Sequence, residues 1–297
     1  MGNLLSRKLA FWKKPTESTN IGIYIDNAHV WCFTKHEGEL DAPKNFARDE
    51  GWSSIFTAIS TTYPQAQFQI VLGHGCYQLL QVDRPQVDDA ELKQALMWSI
   101  KDLVSTSVTQ LHLDYFSYSI SSNNKLNVVV TEKNMLQQML SAACEQDLTC
   151  KGISVEEIAL TNTESDTEQA RLMLCYQEGA ELLLVVIKGG ELCLQRRIRG
   201  FHALNAMSKD DLSYGAADTL SLEIQRSMDF YESQSRHAPI GKIQLVLGAR
   251  GDDLKPLLAQ NLQQPIESLH IENYSLWLAE LALKEFCQAE DTEKVDL

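Results

Sequence analysis

Residues 242–262 read KIQLVLGARGDDLKPLLAQNL: a β-rich run, a turn carrying Gly248, Arg250 and Gly251, and a helical run from Asp252. Where a strand hands over to a helix, free N–H groups and the positive end of the helix dipole converge, which suits a phosphate. Arg250 adds a charge there, and the glycines let an oxygen approach several N–H groups at once. Two more turns stand at hairpin tips. One is Asp26-Asn27-Ala28-His29 and the other Gln177-Glu178-Gly179-Ala180. Other constellations carry less. His29, Cys32 and His36 have loosely ligand-like spacing, but on an alternating strand they do not share a face. GHGC at 73–76 lacks the spacing of a dinucleotide loop and precedes a strand, and neither G-x-S-x-G nor H-E-x-x-H occurs.

These residues must be positioned by a chain of 297 residues, 44% hydrophobic, which is long enough for two domains. A net charge of -14 argues against a nucleic-acid backbone as the main partner. The seven cysteines are odd in number and scattered, with no C-x-x-C pair, as in reduced cytosolic proteins. No apolar run is long enough to span a bilayer. The first residues run against the acidic trend. Arg7, Lys8, Lys13 and Lys14 mix there with Phe11 and Trp12 before Pro15. That pattern reads either as a basic amphipathic helix lying on an anionic membrane surface or as a disordered leader over 1–19.

From residue 20 the pattern is strand, tip, strand, turn and a third strand near 39–40, then a helix over 52–61 and an apolar strand over 68–73. Residues 77–151 change texture, with strands YQLLQVD, LHLDYFSYSI and NKLNVVV beside helices DDAELKQALMWSIKDLV and EKNMLQQMLSAACEQ. They read as an inserted α+β subdomain. ISVEEIAL then returns to a strand. From 167 the meander recurs as EQARLMLCY, QEGA, ELLLVVI, KGG and ELCLQRRIRGF, followed by a long helix, the opening strand–turn–helix, a strand near IESLHI and the helix YSLWLAELALKEFC. A repeated meander signals internal duplication. The boundaries that follow are 20–76 with 152–166 for the first half, 77–151 for the insertion, 167–289 for the second half and 290–297 for an acidic tail. The basic run Arg196, Arg197 and Arg199 reads as a solvated strand edge or as a surface for an acidic partner.

Three stretches in this order, QVDDAELKQALMWSIKDLV with LDYF, GGELCLQRRIRG, and LEIQRSMDFYESQ leading to IQLVLG, resemble the PilM family of type IV pilus assembly proteins. Within it they look most like the mannose-sensitive haemagglutinin (MSHA) pilus branch, MshI. The cytoplasmic domain of the type II secretion L protein is a relative of the same shape. The resemblance covers nearly the whole chain from residue 20. It implies a duplicated RNase H-like, actin/FtsA-like α/β core with the inserted subdomain. It further implies a cytoplasmic protein, peripheral at the bacterial inner membrane. Such a protein grips the short cytoplasmic N-terminal tail of a single-pass, PilN/MshJ-like assembly protein, between the first half and the insertion, and recruits the secretion ATPase.

In that family the first tip reads D-x-G-S/T, the second D-x-G-A/S and the strand-to-helix turn G-G-G-A/S, and together they hold ATP with Mg²⁺. Here Asp26 is kept but Asn27 and Ala28 follow, Gln177 replaces the second acid while Gly179 remains, and Arg250 stands between Gly248 and Gly251. Glu178 and Glu181 would face phosphates with like charge. The resemblance therefore implies a degenerate nucleotide site in a non-catalytic scaffold without cofactor or metal. An active actin-like ATPase, with ATP and Mg²⁺ between Asp26 and Gln177, is the alternative.

Overall fold

A computed structural model describes residues 19–36, 39–40, 44–118, 124–163, 169–235 and 239–295. The leader over 1–19, read as a membrane-surface helix through Arg7, Lys8, Phe11, Trp12, Lys13 and Lys14 or as a disordered segment, lies outside the described residues up to 18, as do the side chains of the acidic tail.

The first half runs β1 (Asn20–Ile25), β2 (His29–Phe33), a two-residue hairpin of β3 (Lys35–His36) and β4 (Glu39–Leu40), β5 (Lys44–Ala47), α1 (Trp52–Thr62) and β6 (Gln67–Leu72). It continues through β7 (Gln78–Asp83), α2 (Asp89–Ser99), β8 (Leu111–Phe116), β9 (Lys125–Glu132), α3 (Lys133–Cys144), β10 (Thr149–Val155) and α4 (Glu156–Ala159). The second half comprises β11 (Arg171–Cys175), β12 (Leu182–Lys188), β13 (Glu191–Ile198), α5 (Lys209–Asp211), α6 (Ala217–Ser235), β14 (Lys242–Val246), α7 (Arg250–Leu258), β15 (Ile266–Ser268) and α8 (Tyr274–Val295).

Duplication is visible in the strand order. One sheet runs β10-β6-β1-β2-β5 and the other β13-β12-β11-β14-β15. Read from the meander outward, both are third, second, first, fourth, fifth. In each, the first strand is antiparallel to the second and parallel to the fourth. Apolar runs such as LLLVVI in β12 are buried along their whole length, as strands covered on both faces must be.

Three departures from the sequence reading have physical causes. The meander's third strand is β5, paired with β2, and the run at 39–40 forms only the small hairpin with β3. Second, α3 belongs by packing to the first core. Leu136, Met139, Ala142 and Ala143 are buried with Ile55, Phe56 and Ile59 of α1. The separate insertion is thus the β7-β9-β8 sheet and α2, around Leu92, Leu96, Val128 and Val130, narrower than 77–151. Third, α8 follows the second sheet in sequence but lies across the first. Its Leu278, Ala279, Leu281 and Ala282 are fully buried in a middle layer with Tyr24 and Val71 of the first sheet and Met173, Leu183 and Val185 of the second. It is also continuous to Val295, into the segment set apart as an acidic tail. Among the described residues, no helix is long and apolar enough to cross a membrane.

Gly22 makes that crossing feasible. A Cβ there would lie 1.9 Å from the Ala279 carbonyl oxygen and 2.6 Å from the Leu283 nitrogen, so the helix backbone rides directly on β1. Because these are backbone atoms of a helix packed on both sides, they cannot yield cheaply. Gly22→Ala is expected to destabilise the protein by about 2–3 kcal/mol, the cost of overpacking a rigid site, measured as a lower urea midpoint at unchanged slope.

Candidate functional site: the cleft between the two halves

Both hairpin tips point into one cleft of about 680 Å³, whose walls include Asp26, Asn27, Gln177, Gly179 and Gly248. Five of the seven residues singled out from the sequence are thus brought together. The other two, Arg250 and Gly251, are not in its lining. Arg250 is tied down instead: its Nη1 donates to Asp253 Oδ2 at 3.0 Å and its Nη2 to the Asn205 carbonyl at 3.0 Å. Gly251 is buried against Ser268. The helix begins at Arg250, two residues before the expected start, which draws that side chain onto the first turn of α7.

At the first tip, Asp26 is buried, and its Oδ1 accepts from the backbone N–H groups of Ala28 and His29, each at 2.8 Å. This is a local side-chain turn, in which the aspartate satisfies the backbone N–H groups two and three residues on. Gly75 on the neighbouring GHGC turn leaves room for Asn27, whose side-chain oxygen would lie 2.0 Å from any Cβ there. The second carboxylate oxygen of Asp26 accepts from Gln177 Nε2 at 3.2 Å, across the cleft. Gln177 Oε1 in turn accepts from the Tyr24 hydroxyl at 2.9 Å. The two tips are therefore hydrogen-bonded to each other. Burial pushes the Tyr24 hydroxyl well above its usual pKa, with Glu156 and Asp26 adding to the rise, so it stays a donor.

Behind the tips lies a second network with no counterpart among the expected site residues. Arg197 on β13 reaches across to the first half, where its Nη2 donates to Glu156 Oε2 at 2.9 Å and to Glu157 Oε1 at 3.1 Å. The Tyr274 hydroxyl, at the start of α8, donates to Glu156 Oε1 at 2.6 Å. Tyr77, at the entrance to the insertion, donates to Glu157 Oε2. One guanidinium thus faces two buried carboxylates. Of the basic run read as a solvated edge or a surface for an acidic partner, Arg199 is exposed, its side chain at 91%. Arg196 instead reaches Glu223 of α6. The sequence signal for the network was the acidic pair in ISVEEIAL directly after an apolar strand, where two charges enter a core together.

The known structures similar to this one include the cytoplasmic domain of EpsL, an inner membrane component of the type II secretion system of Vibrio cholerae. It is 16% identical over 90% of this chain and 95% of that one, with a TM-score of 0.51. A PilM–PilN type IV pilus biogenesis complex matches at 14% identity, 89% and 95% coverage and a TM-score of 0.54. A Bacteroides thetaiotaomicron protein with an actin-like ATPase fold and unknown function matches at 9% identity, 90% and 96% coverage and 0.53. This chain has the actin-like fold. No protein-family model matches it, and no curated protein matches it in sequence. The cleft between the tips holds the residues in which the sequence pattern placed a degenerate nucleotide site, and the contact between Asp26 and Gln177 spans it.

The buried acid pair has a pH signature. Burial raises the Glu157 carboxyl above its usual 4.5, Arg197 opposes the rise and Glu156 adds to it. The folded protein then holds this proton more tightly than the unfolded chain. Stability attributable to Glu157 therefore falls as pH climbs from 4.5 to the folded pKa and is level above it. Glu157→Gln is expected to remove that slope, seen as urea midpoints that converge with the parent's at low pH and exceed it progressively toward neutral pH. Arg197→Met, which strands two carboxylates, is expected to cost about 3–5 kcal/mol at neutral pH.

Proposed function

We propose that this chain is a non-catalytic scaffold of a type IV pilus assembly machine, MSHA-like in kind and related to type II secretion. The observation that carries the reading is the engagement of Asp26. An aspartate that serves a Mg²⁺-bound triphosphate needs free carboxylate oxygens beside donors for the phosphates. Here both oxygens are already bonded, and the opposing metal-side position is the neutral amide of Gln177. Glu178 on the same wall adds a carboxylate where phosphates would sit. Mg-ATP does not fit this arrangement without breaking the bridge between the tips.

With the cleft spanned, function moves to surfaces. A fold alone does not assign them, but the likeness to the EpsL domain and to the PilM–PilN complex supports a secretion- or pilus-assembly role. On this reading the protein sits at the cytoplasmic face of the inner membrane, holds the N-terminal tail of a single-pass, PilN/MshJ-like protein, and presents it to the secretion ATPase. The tail's seat is the groove of about 350 Å³ between the first half and the insertion, bordered by Trp52, Thr106, Leu111, Met135 and Gln138. Asn134 and Gln138 are exposed four residues apart on α3 at its mouth, so bulky residues there obstruct entry while leaving the core intact. A peptide of the partner's cytoplasmic tail is expected to bind the full chain without nucleotide in a calorimetric titration. Asn134→Trp with Gln138→Trp is expected to weaken it at least about tenfold, an obstruction worth roughly 1.4 kcal/mol. Unchanged affinity in the double variant removes the groove, and no binding by the parent chain removes the reading.

A further inference from the structure

A second groove, of about 500 Å³, opens on the other side of Tyr77, between the insertion and the second half. Its two long walls differ in kind. Five consecutive residues of β13, Cys193 to Arg197, line one of them. Because alternate side chains of a strand point to opposite faces, an unbroken run can border a groove only where the groove follows the strand's backbone edge. No second strand covers that edge: β13 is the outer strand of its sheet, paired with β12 alone among the described residues, and Tyr118 bonds it at Gln195. The facing wall is one face of the insertion's sheet. Leu126, Val128 and Val130 of β9 turn toward α2 and its core, while Lys125 and Asn127 turn to the groove, beside Leu79 of β7.

Three features specify what fits. The first is the strand edge, which on either side of Gln195, the position that Tyr118 bonds, offers backbone donors and acceptors to an extended segment. The second is the side chain of Asn127. It is 1% exposed, lines the groove, and its Nδ2 has no hydrogen-bond partner. A buried donor left unmatched is costly, and the carbonyl of a strand lying beside it would satisfy it. The third is the lining chemistry. Phe230 of α6, 52% exposed, stands on one side of the β13 plane with Arg196, and Tyr118 and Tyr77 stand on the other. Lys125 is exposed on the facing wall. The acid at the inner end, Glu157, is already held by Arg197 and Tyr77. Arg196 is likewise held, by Glu223 of α6, so in a molecule of net charge -14 the mouth presents Lys125 as a cation with no carboxylate partner among the described residues, over apolar walls.

We propose that this groove takes an extended, apolar and acidic segment of a partner protein as an added strand on β13, at a site separate from the groove between α3 and the insertion. Apolar side chains of the segment lie against Leu79 and the aromatic rings, an acidic one meets Lys125, and one carbonyl accepts from Asn127. Strand addition explains the uncovered strand edge, the unmatched amide and the exposed lysine together, which a small apolar ligand would not.

The test uses the full chain and a blocked octapeptide of alternating leucine and glutamate. Saturable binding is expected, with slowed amide hydrogen exchange along β13. It is expected to be lost when alternate peptide nitrogens are methylated, since that removes the pairing donors without changing the side chains. The leucine–lysine counterpart is expected to bind at least about tenfold more weakly, and Phe230→Ala and Lys125→Glu, both at exposed positions, to weaken the acidic peptide by about tenfold. Absence of saturable binding, binding that survives N-methylation, or binding indifferent to Lys125→Glu overturns the proposal.

Discussion

One guanidinium holds this molecule in register. Arg197 leaves the second sheet and enters a pocket formed by Glu156 and Glu157 of the first half, with Tyr77 from the insertion and Tyr274 from α8 completing the set. Burying two carboxylates against a single cation is expensive, and the arrangement is tolerable because the oxygens find hydroxyl donors as well as the arginine. Burial works against the Arg197 charge, and Glu156, Tyr77 and Glu157 more than offset it, so its proton is held more firmly than usual. All four parts of the structure meet at this point. Together with the apolar layer around α8, it ties the two halves to each other.

With the halves so tied, the two hairpin tips come within reach of each other. An actin-like frame separates its tips by a bound phosphate chain. Here the gap is closed by Tyr24, Gln177 and Asp26 in a chain of hydrogen bonds. Set against the family pattern that the sequence resembles, the difference is chemically small: Gln177 stands where that pattern has an acid, and Asn27 and Ala28 follow Asp26 where it has a glycine and a hydroxyl. A neutral amide can donate to the opposing carboxylate, whereas a second acid would repel it and call for a cation. The long helix α8 reinforces the closure from behind, lying on β1 through Gly22 and joining both sheets in one apolar layer.

Much of this was legible in the chain. The two meanders, their tips and the long buried strands follow from a period of two residues punctuated by turn formers, and repetition of the same order implied the duplicated core. What local pattern does not contain is the partner of each face. The apolar stripe of α3 is equally suited to the insertion or to α1, and only the fold shows that it packs on α1. The stripe of α8 could have covered the second sheet that precedes it. Charged residues were the least legible: Arg197 sits between Arg196 and Arg199 in a run that reads as solvated. Its burial depends on an acidic pair forty positions upstream, brought near by a strand crossing. Arg250 was misleading for a similar reason, since its acceptors are Asp253, one helical turn on, and the distant Asn205 carbonyl.

The central claim of the proposed function is that side chains of the two tips span the cleft where the sequence pattern placed a nucleotide, so that Mg-ATP does not bind there. Calorimetric titration of Mg-ATP into the full-length protein tests it directly. The account predicts a flat titration, in the parent chain and in Asp26→Ala alike. Saturable micromolar binding that Asp26→Ala abolishes would contradict it, and would return the protein to the actin-like ATPases.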